Sequence, residues 1–282
     1  GRKAPGPVAN LFVSFMSART RVIAEVASNH GGDIQLAKQF IRVAAECGAD
    51  YVKFQSWQGK NLRRDDPQYD WFVRSELSDK AHLELMGECE ERGIQFLTTC
   101  FETERVHFIA SLGLREIKVG SADTGSYGML REIREPFEHI LLSTGMATED
   151  EVRGAVVILR GKPFTLMHTV SLYPTLPEHA NLRRMNWLRQ FTQSVGYSDH
   201  TLGIEATKLA IAMGAGYVEK HFCLSREGPG RAMPWDMTPQ ELKEVVQFTY
   251  QAETILGREQ LPILPELDAA RRRFIGRFGD NR

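Results

Sequence analysis

No stretch of this 282-residue chain approaches the roughly 20 consecutive apolar residues that a bilayer-spanning helix needs. Nothing in it therefore reads as a membrane protein. Cysteine is scarce: the four residues Cys47, Cys89, Cys100 and Cys223 are scattered, with no C-x-x-C pair. That usage excludes a disulfide framework and fits free thiols in a reducing compartment, so the expected location is the cytoplasm. An excess of one charge sign is missing too. The 35 basic and 36 acidic residues leave a formal charge of -1, so bulk electrostatics argue for neither nucleic acid nor an anionic membrane as partner. No G-x-G-x-x-G follows the first apolar run, and Asn29-His30-Gly31-Gly32 is a poor substitute for a dinucleotide-binding turn. No organic cofactor is expected.

What the chain has is a 42% hydrophobic content, arranged as short β-branched runs alternating with helical spacing. Strands are expected at 21–27, 50–55, 95–99, 115–119, 139–143, 164–168, 194–198 and 217–221. Helices are expected at 34–46, 80–92, 102–111, 127–134, 149–159, 182–190 and 204–213, with a closing helix to about Leu256 whose N-cap is Thr238 and whose capping-box partner is Glu241. Gly48, Gly93, Gly113 and Gly214 fall just past helix ends, where a left-handed C-cap is wanted. Eight strand–helix units in this length predict an α/β fold, a single-domain TIM (β/α)8 barrel over 21–265. The strands read as apolar on both faces, as buried parallel strands do. An open doubly wound sheet is the alternative. Residues 1–20, with Arg2, Lys3 and the apolar patch Leu11–Met16, read as an N-terminal arm rather than a signal peptide, and 266–282, with Arg271, Arg272 and Arg273, as a short basic tail or linker stub.

In a barrel of this kind, residues at or just past the C-terminal ends of the strands face the active site. Here they are Glu25, Lys53 and Gln55, Thr99, Lys118 and Ser121, Ser143, His168, Ser198 and His200, and Lys220 and His221. His200 and His221 close neighbouring strands, a natural arrangement for two ligands of one divalent metal. Lysines, hydroxyls and the turns Gly120-Ser121 and Ser143-Thr144-Gly145 suit a small, strongly anionic ligand such as a phosphate ester. Each part has a plainer reading: a strand-end lysine snorkels to solvent, a Ser-Thr-Gly is a common turn, and His168 serves equally well as a core histidine. His82, His107, His139 and His179 read as surface residues on helices or loops. Glu25 is harder to dismiss, because an unpaired carboxylate inside an apolar strand is too costly to be incidental.

At this point the chain resembles a known family. Ile23-Ala24-Glu25, Asn29-His30-Gly31, Val52-Lys53-Phe54-Gln55, Ile117 to Ser121, Leu142 to Met146, Tyr173-Pro174-Thr175, Ser198-Asp199-His200-Thr201 and Glu219-Lys220-His221-Phe222 are similar, in order, to motifs of the sialic acid synthase (N-acetylneuraminate synthase) family. The resemblance implies a TIM barrel that condenses phosphoenolpyruvate with an N-acyl amino-sugar aldehyde, using Mn²⁺ or Mg²⁺, in a homodimer. Carried over motif by motif, it implies His200 and His221 as metal ligands and Glu25 as the catalytic carboxylate. Lys53, Thr99, Lys118, Ser121, Ser143 and Ser198 correspond to phosphoenolpyruvate contacts, and Gln55 and Tyr173 to residues that hold the sugar.

The departures fall on the sugar side. Gly228-Pro229-Gly230 stands where the family has Gly-Pro-Asp, with Asp236 a candidate replacement further along a longer loop. Ala122-Asp123 occupies a position that is commonly Glu, and Asp123 is carried as a substrate-binding candidate. Ser171 stands for a usual Asn. The sequence stops where the linker to the family's C-terminal antifreeze-like domain begins, as either a truncated piece of a longer chain or a barrel-only relative would. Trp71 and Phe72 in the loop 59–79, together with Arg231, are the candidates to cover the pocket instead. Two other activities stay open: a lysine Schiff-base aldolase using Lys118 or Lys53, and a sugar- or phosphate-binding barrel without turnover.

Overall fold

The computed structural model describes residues 19–257, 260, 264–277 and 279; the arm's apolar patch at 11–16 lies outside them. Eight parallel strands close into a barrel in sequence order: β1 (Arg21–Ala27), β2 (Tyr51–Ser56), β3 (Gln95–Cys100), β4 (Glu116–Val119), β5 (His139–Ser143), β6 (Phe164–Thr169), β7 (Val195–Asp199) and β8 (Tyr217–His221). Strand β8 pairs with β1, with Glu25 beside His221. This closure excludes the open sheet, and every strand lies within a residue of its expected position. Around the barrel run α1 (Ile34–Glu46), α2 (Tyr69–Arg74), α3 (Asp79–Arg92), α4 (Thr103–Ser111), α5 (Tyr127–Arg134), α6 (Glu149–Leu159), α7 (Arg184–Leu188), α8 (Glu205–Ala212) and α9 (Pro239–Leu256). A further helix, α10 (Pro265–Phe274), buries none of its residues. None of the described helices is long and apolar enough to cross a membrane.

Period-two alternation along the strands explains both the core and the site. One set of side chains, including Val22, Ala24, Val52, Phe54, Ile117, Leu142 and Val218, points outward and packs under the helices. The other set points into the barrel. Its middle layer, Ile23, Tyr51, Leu97, Leu141, Met167 and Tyr217, is a separate apolar plug. Gly196 belongs to the same inward set, and a Cβ there would stand 2.8 Å from the Tyr217 carbonyl oxygen, so the barrel closes at that height only around glycine. Below the plug, toward the strand N-termini, the Glu116 carboxylate accepts hydrogen bonds from Tyr51 and Tyr217 and pairs with His139. Above the plug, the inward positions are polar.

Four expectations change. Helix α2 forms inside the loop read as 59–79, and the helix read over 182–190 is only the short α7. Two histidines read as surface residues are not. His82 is fully buried in α3 against Phe96 and Phe108, and His139 opens β5, half-buried against Glu116 and Thr165. The capping box Thr238–Glu241 forms as expected, and a second one, Thr148–Glu151, opens α6.

Candidate active site

The upper inward layer places charges of both signs within contact distance. Lys53 Nζ lies 3.0 Å from Glu25 Oε2 and 3.4 Å from Glu219 Oε2, and donates to Thr99 Oγ1 at 2.8 Å. Lys118 Nζ lies 3.7 Å from Glu219 Oε1 and donates to Ser143 Oγ at 2.6 Å. The Ser198 hydroxyl donates to Glu219 Oε1 at 3.0 Å, and Gln55 Nε2 donates to Glu25 Oε1 at 3.0 Å. All four charged groups are buried. Immediately after Glu25 the strand bulges, with Ala27 at φ 50°. A non-glycine residue held in that region is local strain of the sort that collects at functional sites.

Burial and pairing set these groups apart electrostatically. Burial raises the Glu25 carboxyl above the usual carboxylate range; Lys53 opposes the shift and Glu219 adds to it. Burial would raise Glu219 likewise, but Lys118 and Lys53, helped by the Ser198 hydroxyl, hold it well below that range. Two carboxylates a lysine apart thus prefer different protonation states. Burial also lowers the Lys118 ammonium to about 8, with Glu219 opposing and Lys53 reinforcing the shift.

Beside this cluster the rings of His200 and His221 lie 5.4 Å apart, centre to centre. His200 Nδ1 is 2.8 Å from the Val170 carbonyl oxygen. A carbonyl only accepts, so Nδ1 carries the proton and the Nε2 lone pair is free. Burial lowers both imidazoles, His200 to about 4 and His221 well below its ordinary value, so both stay neutral near pH 7. Two neutral imidazoles with an available lone pair match the donor chemistry of a divalent transition metal. No group of three or more His, Cys, Asp or Glu is gathered for a metal among the described residues, so two protein ligands would leave positions for substrate oxygens and water. Tyr173 roofs this pair, its ring 4.1 Å from that of His200 and 6.0 Å from that of His221.

A pocket of about 130 Å³ opens between these groups, and its wall includes every candidate above together with Ser121. Ser121 faces Ser171 across the mouth, with their hydroxyls 2.8 Å apart. Of the substrate-binding candidates only Asp123 stays out of the wall; it accepts a hydrogen bond from Ser126 instead. Lys220, one of the rim residues, points outward into a buried pair with Asp199. His168 also stays out, bonding the Ala180 carbonyl with its ring against Tyr197. Trp71, Phe72 and Arg231 do not line the pocket. Trp71 donates to Ser28 in the loop after β1 and Arg231 stacks on Trp71, while Phe72 packs against Trp57 just past β2. Asp236 is turned toward Asn29 rather than into the pocket.

The residue that sequence reasoning missed is Glu219. It is flanked by Tyr217 and His221 at a spacing of two, so strand parity alone assigns it, and not Lys220, to the interior.

Asp199 anchors the turn that carries His200. Its carboxylate accepts from Tyr197, Thr207, the Thr201 backbone N–H and Lys220. Removing it strands Lys220, which is 2% exposed. We expect Asp199→Ala to lower stability by about 3–5 kcal/mol, read as a drop in the urea-unfolding midpoint. An unchanged midpoint would mean that Lys220 is hydrated or otherwise paired.

An α/β barrel with paired lysines, separated carboxylates and two free imidazoles at its C-terminal rim belongs to the class of barrel enzymes acting on small anionic substrates. The particular family follows from comparison. The NeuB family profile matches residues 40–261, and the chain belongs to that family, the family of the sialic acid synthases. The N,N'-diacetyllegionaminic acid synthase of Legionella pneumophila is 36% identical over 84% of this chain and 73% of its own length. The synthase of the same name from Campylobacter jejuni is 36% identical over 85% of this chain and 78% of its own. The crystal structure of N-acetylneuraminic acid synthetase from Leptospira borgpetersenii, in complex with citrate, superposes with a TM-score of 0.85. It is 30% identical, and the match covers 93% of this chain and 94% of that one.

Proposed function

We propose that this enzyme condenses phosphoenolpyruvate with an N-acyl amino-sugar aldehyde, releasing phosphate and forming a sialic-acid-type nonulosonate. What carries the reading is the coexistence, in one pocket, of the Lys53–Lys118 pair and the two neutral imidazoles of His200 and His221. The lysine ammonium groups, with the hydroxyls of Thr99, Ser121, Ser143 and Ser198, bind the carboxylate and phosphate of the donor. Gln55 and Tyr173 face the sugar. His200 and His221 would hold Mn²⁺ or Mg²⁺, the imidazoles favouring the former. A bound ion supplies Lewis-acid polarisation of the aldehyde oxygen.

The enol C3 attacks the aldehyde carbon, and the aldehyde oxygen takes up a proton as the C–C bond forms. Glu25 then accepts a proton from the water that adds to the electron-deficient C2. The resulting tetrahedral centre expels phosphate by C–O cleavage and leaves a 2-keto acid. Prealigned ammonium groups favour this path without forming any covalent bond to the protein.

The test is phosphate release from phosphoenolpyruvate with Mn²⁺ across a panel of N-acylated and plain aldoses. We expect release only with an N-acyl amino sugar and only with metal. Absence of release with every aldose, despite metal-dependent donor binding, would favour a binding-only barrel. A second reading draws on the lowered Lys118 ammonium, the condition for a Schiff-base lysine. It predicts activity in chelator and trapping by borohydride, whereas the synthase reading predicts neither. A homodimer and a cytoplasmic location complete the proposal.

A further inference from the structure

The sugar side of the site has an aromatic element outside the wall of the deep pocket. Tyr173, which roofs the histidines, carries a second ring on its other side: Trp235, 5.6 Å away and tilted by 57°. Trp235 lies in the segment joining β8 to α9 and is only half-buried.

The segment around Trp235 is unusually well tethered. Asp236, 1% exposed, accepts from the Asn29 side-chain amide at 3.0 Å and from the Met233 backbone N–H at 2.8 Å. The same Asn29 amide donates to the Phe222 carbonyl at 3.0 Å, and the Asn29 carbonyl accepts from the Arg231 N–H at 2.8 Å. Gly230, at φ +89°, passes so close that a Cβ would stand 2.7 Å from that carbonyl oxygen. Arg226 clamps the carbonyls of Met233 and Pro234 at 3.0 Å each. The segment is thus held from both ends, and the loop after β1 fixes where Trp235 stands.

We infer that Trp235 is a specificity-determining residue for the acceptor: with Tyr173 it forms a two-ring wall against which the apolar face and N-acyl methyl of the sugar aldehyde pack. Asn29 and Asp236 are its positioning residues. The inference rests on the synthase reading above. An aromatic face and the C–H groups of an open-chain sugar or an acyl methyl are complementary, and both shed water on contact. The donor end of the pocket, formed by the lysines and hydroxyls, does not touch Trp235.

The test compares the wild-type enzyme with Trp235→Ala, Trp235→Phe and Asp236→Ala, measuring KM for the acceptor, KM for phosphoenolpyruvate and kcat separately. N-acetylated and non-acylated forms of the same amino sugar serve as acceptors. We expect Trp235→Ala to raise the KM of the N-acetylated acceptor by about tenfold, with donor KM and kcat nearly unchanged. Its preference over the non-acylated form should shrink. Trp235→Phe should recover most of the loss. Asp236→Ala should reproduce the acceptor effect, and adding it to Trp235→Ala should change the acceptor KM little further. An unchanged acceptor KM in Trp235→Ala would overturn the inference while leaving the synthase reading intact. So would a parallel rise in both KM values, which marks general damage to the site. If the wild-type enzyme turns over no aldehyde at all, the synthase reading fails and this inference falls with it.

Discussion

A His221→Ala enzyme should lose about a thousandfold or more in kcat/KM for the condensation while still binding phosphoenolpyruvate. The reason lies in the division of the site. His221 ends β8 and His200 follows β7 on one side of the pocket, and in the proposed reaction the donor's charges are assigned to Lys53 on β2 and Lys118 on β4. A single remaining imidazole cannot hold a divalent ion against water at ordinary metal concentrations, so the polarisation of the aldehyde oxygen is lost. The protein should stay folded, since the His221 side chain makes ring contacts and no hydrogen bond among the described residues, and its backbone bonds survive the substitution. Two measurements decide the matter: metal content of the purified variant, and donor affinity by titration. A variant that keeps its metal and its rate would sink the assignment of His221 as a ligand. Donor affinity lost together with metal would mean that the ion also holds phosphoenolpyruvate.

The fold was legible because each unit carries its own punctuation. Eight apolar strands alternate with helical spacing, several of the helices marked by a glycine past the end or a capping residue at the start, and closure into a barrel follows from the twist and count of such units. Candidate residues that the structure gathers in the pocket were visible where a strand ends abruptly in polar side chains, as at Ser198 and His200. Direction needs strand parity as well as polarity. Lys220 and His221 are adjacent and equally polar, yet one is tied to Asp199 outside the barrel and the other lines the pocket. Glu219 was hidden by the motif that contains it, although its parity with Tyr217 and His221 was available. His82 shows the opposite limit: nothing local distinguishes a helix histidine in water from one packed between Phe96 and Phe108. Long loops were least legible, because their contacts join segments far apart in sequence, as Asn29 and Asp236 do.

Glu25→Gln is the second variant with a large expected effect, and its signature is a change in the shape of the pH profile. If the carboxylate takes the proton from the attacking water, only its ionised form is productive. Burial, opposed by Lys53 and reinforced by Glu219, raises its pKa above the ordinary carboxylate range, so kcat/KM should fall with decreasing pH earlier than an ordinary carboxylate would require. On the alkaline side the productive form of Lys118 is the ammonium, which burial lowers to about 8; kcat/KM should fall again as pH rises through that value. The wild-type profile is therefore a bell with both limbs inside the accessible range. Glutamine keeps the volume and still accepts from Gln55, but it cannot take a proton and it no longer offsets Lys53. Loss of general-base assistance should lower kcat by about 10²–10⁴-fold and erase the acid limb, leaving the alkaline limb in place. Since Glu25 also lies 3.0 Å from Lys53, a merely electrostatic role would show differently: donor KM would shift, with kcat nearly unchanged. An acid limb that persists in Glu25→Gln with kcat nearly unchanged would move the base to another group, and Glu219, held ionised by the two lysines, would be the residue to replace next.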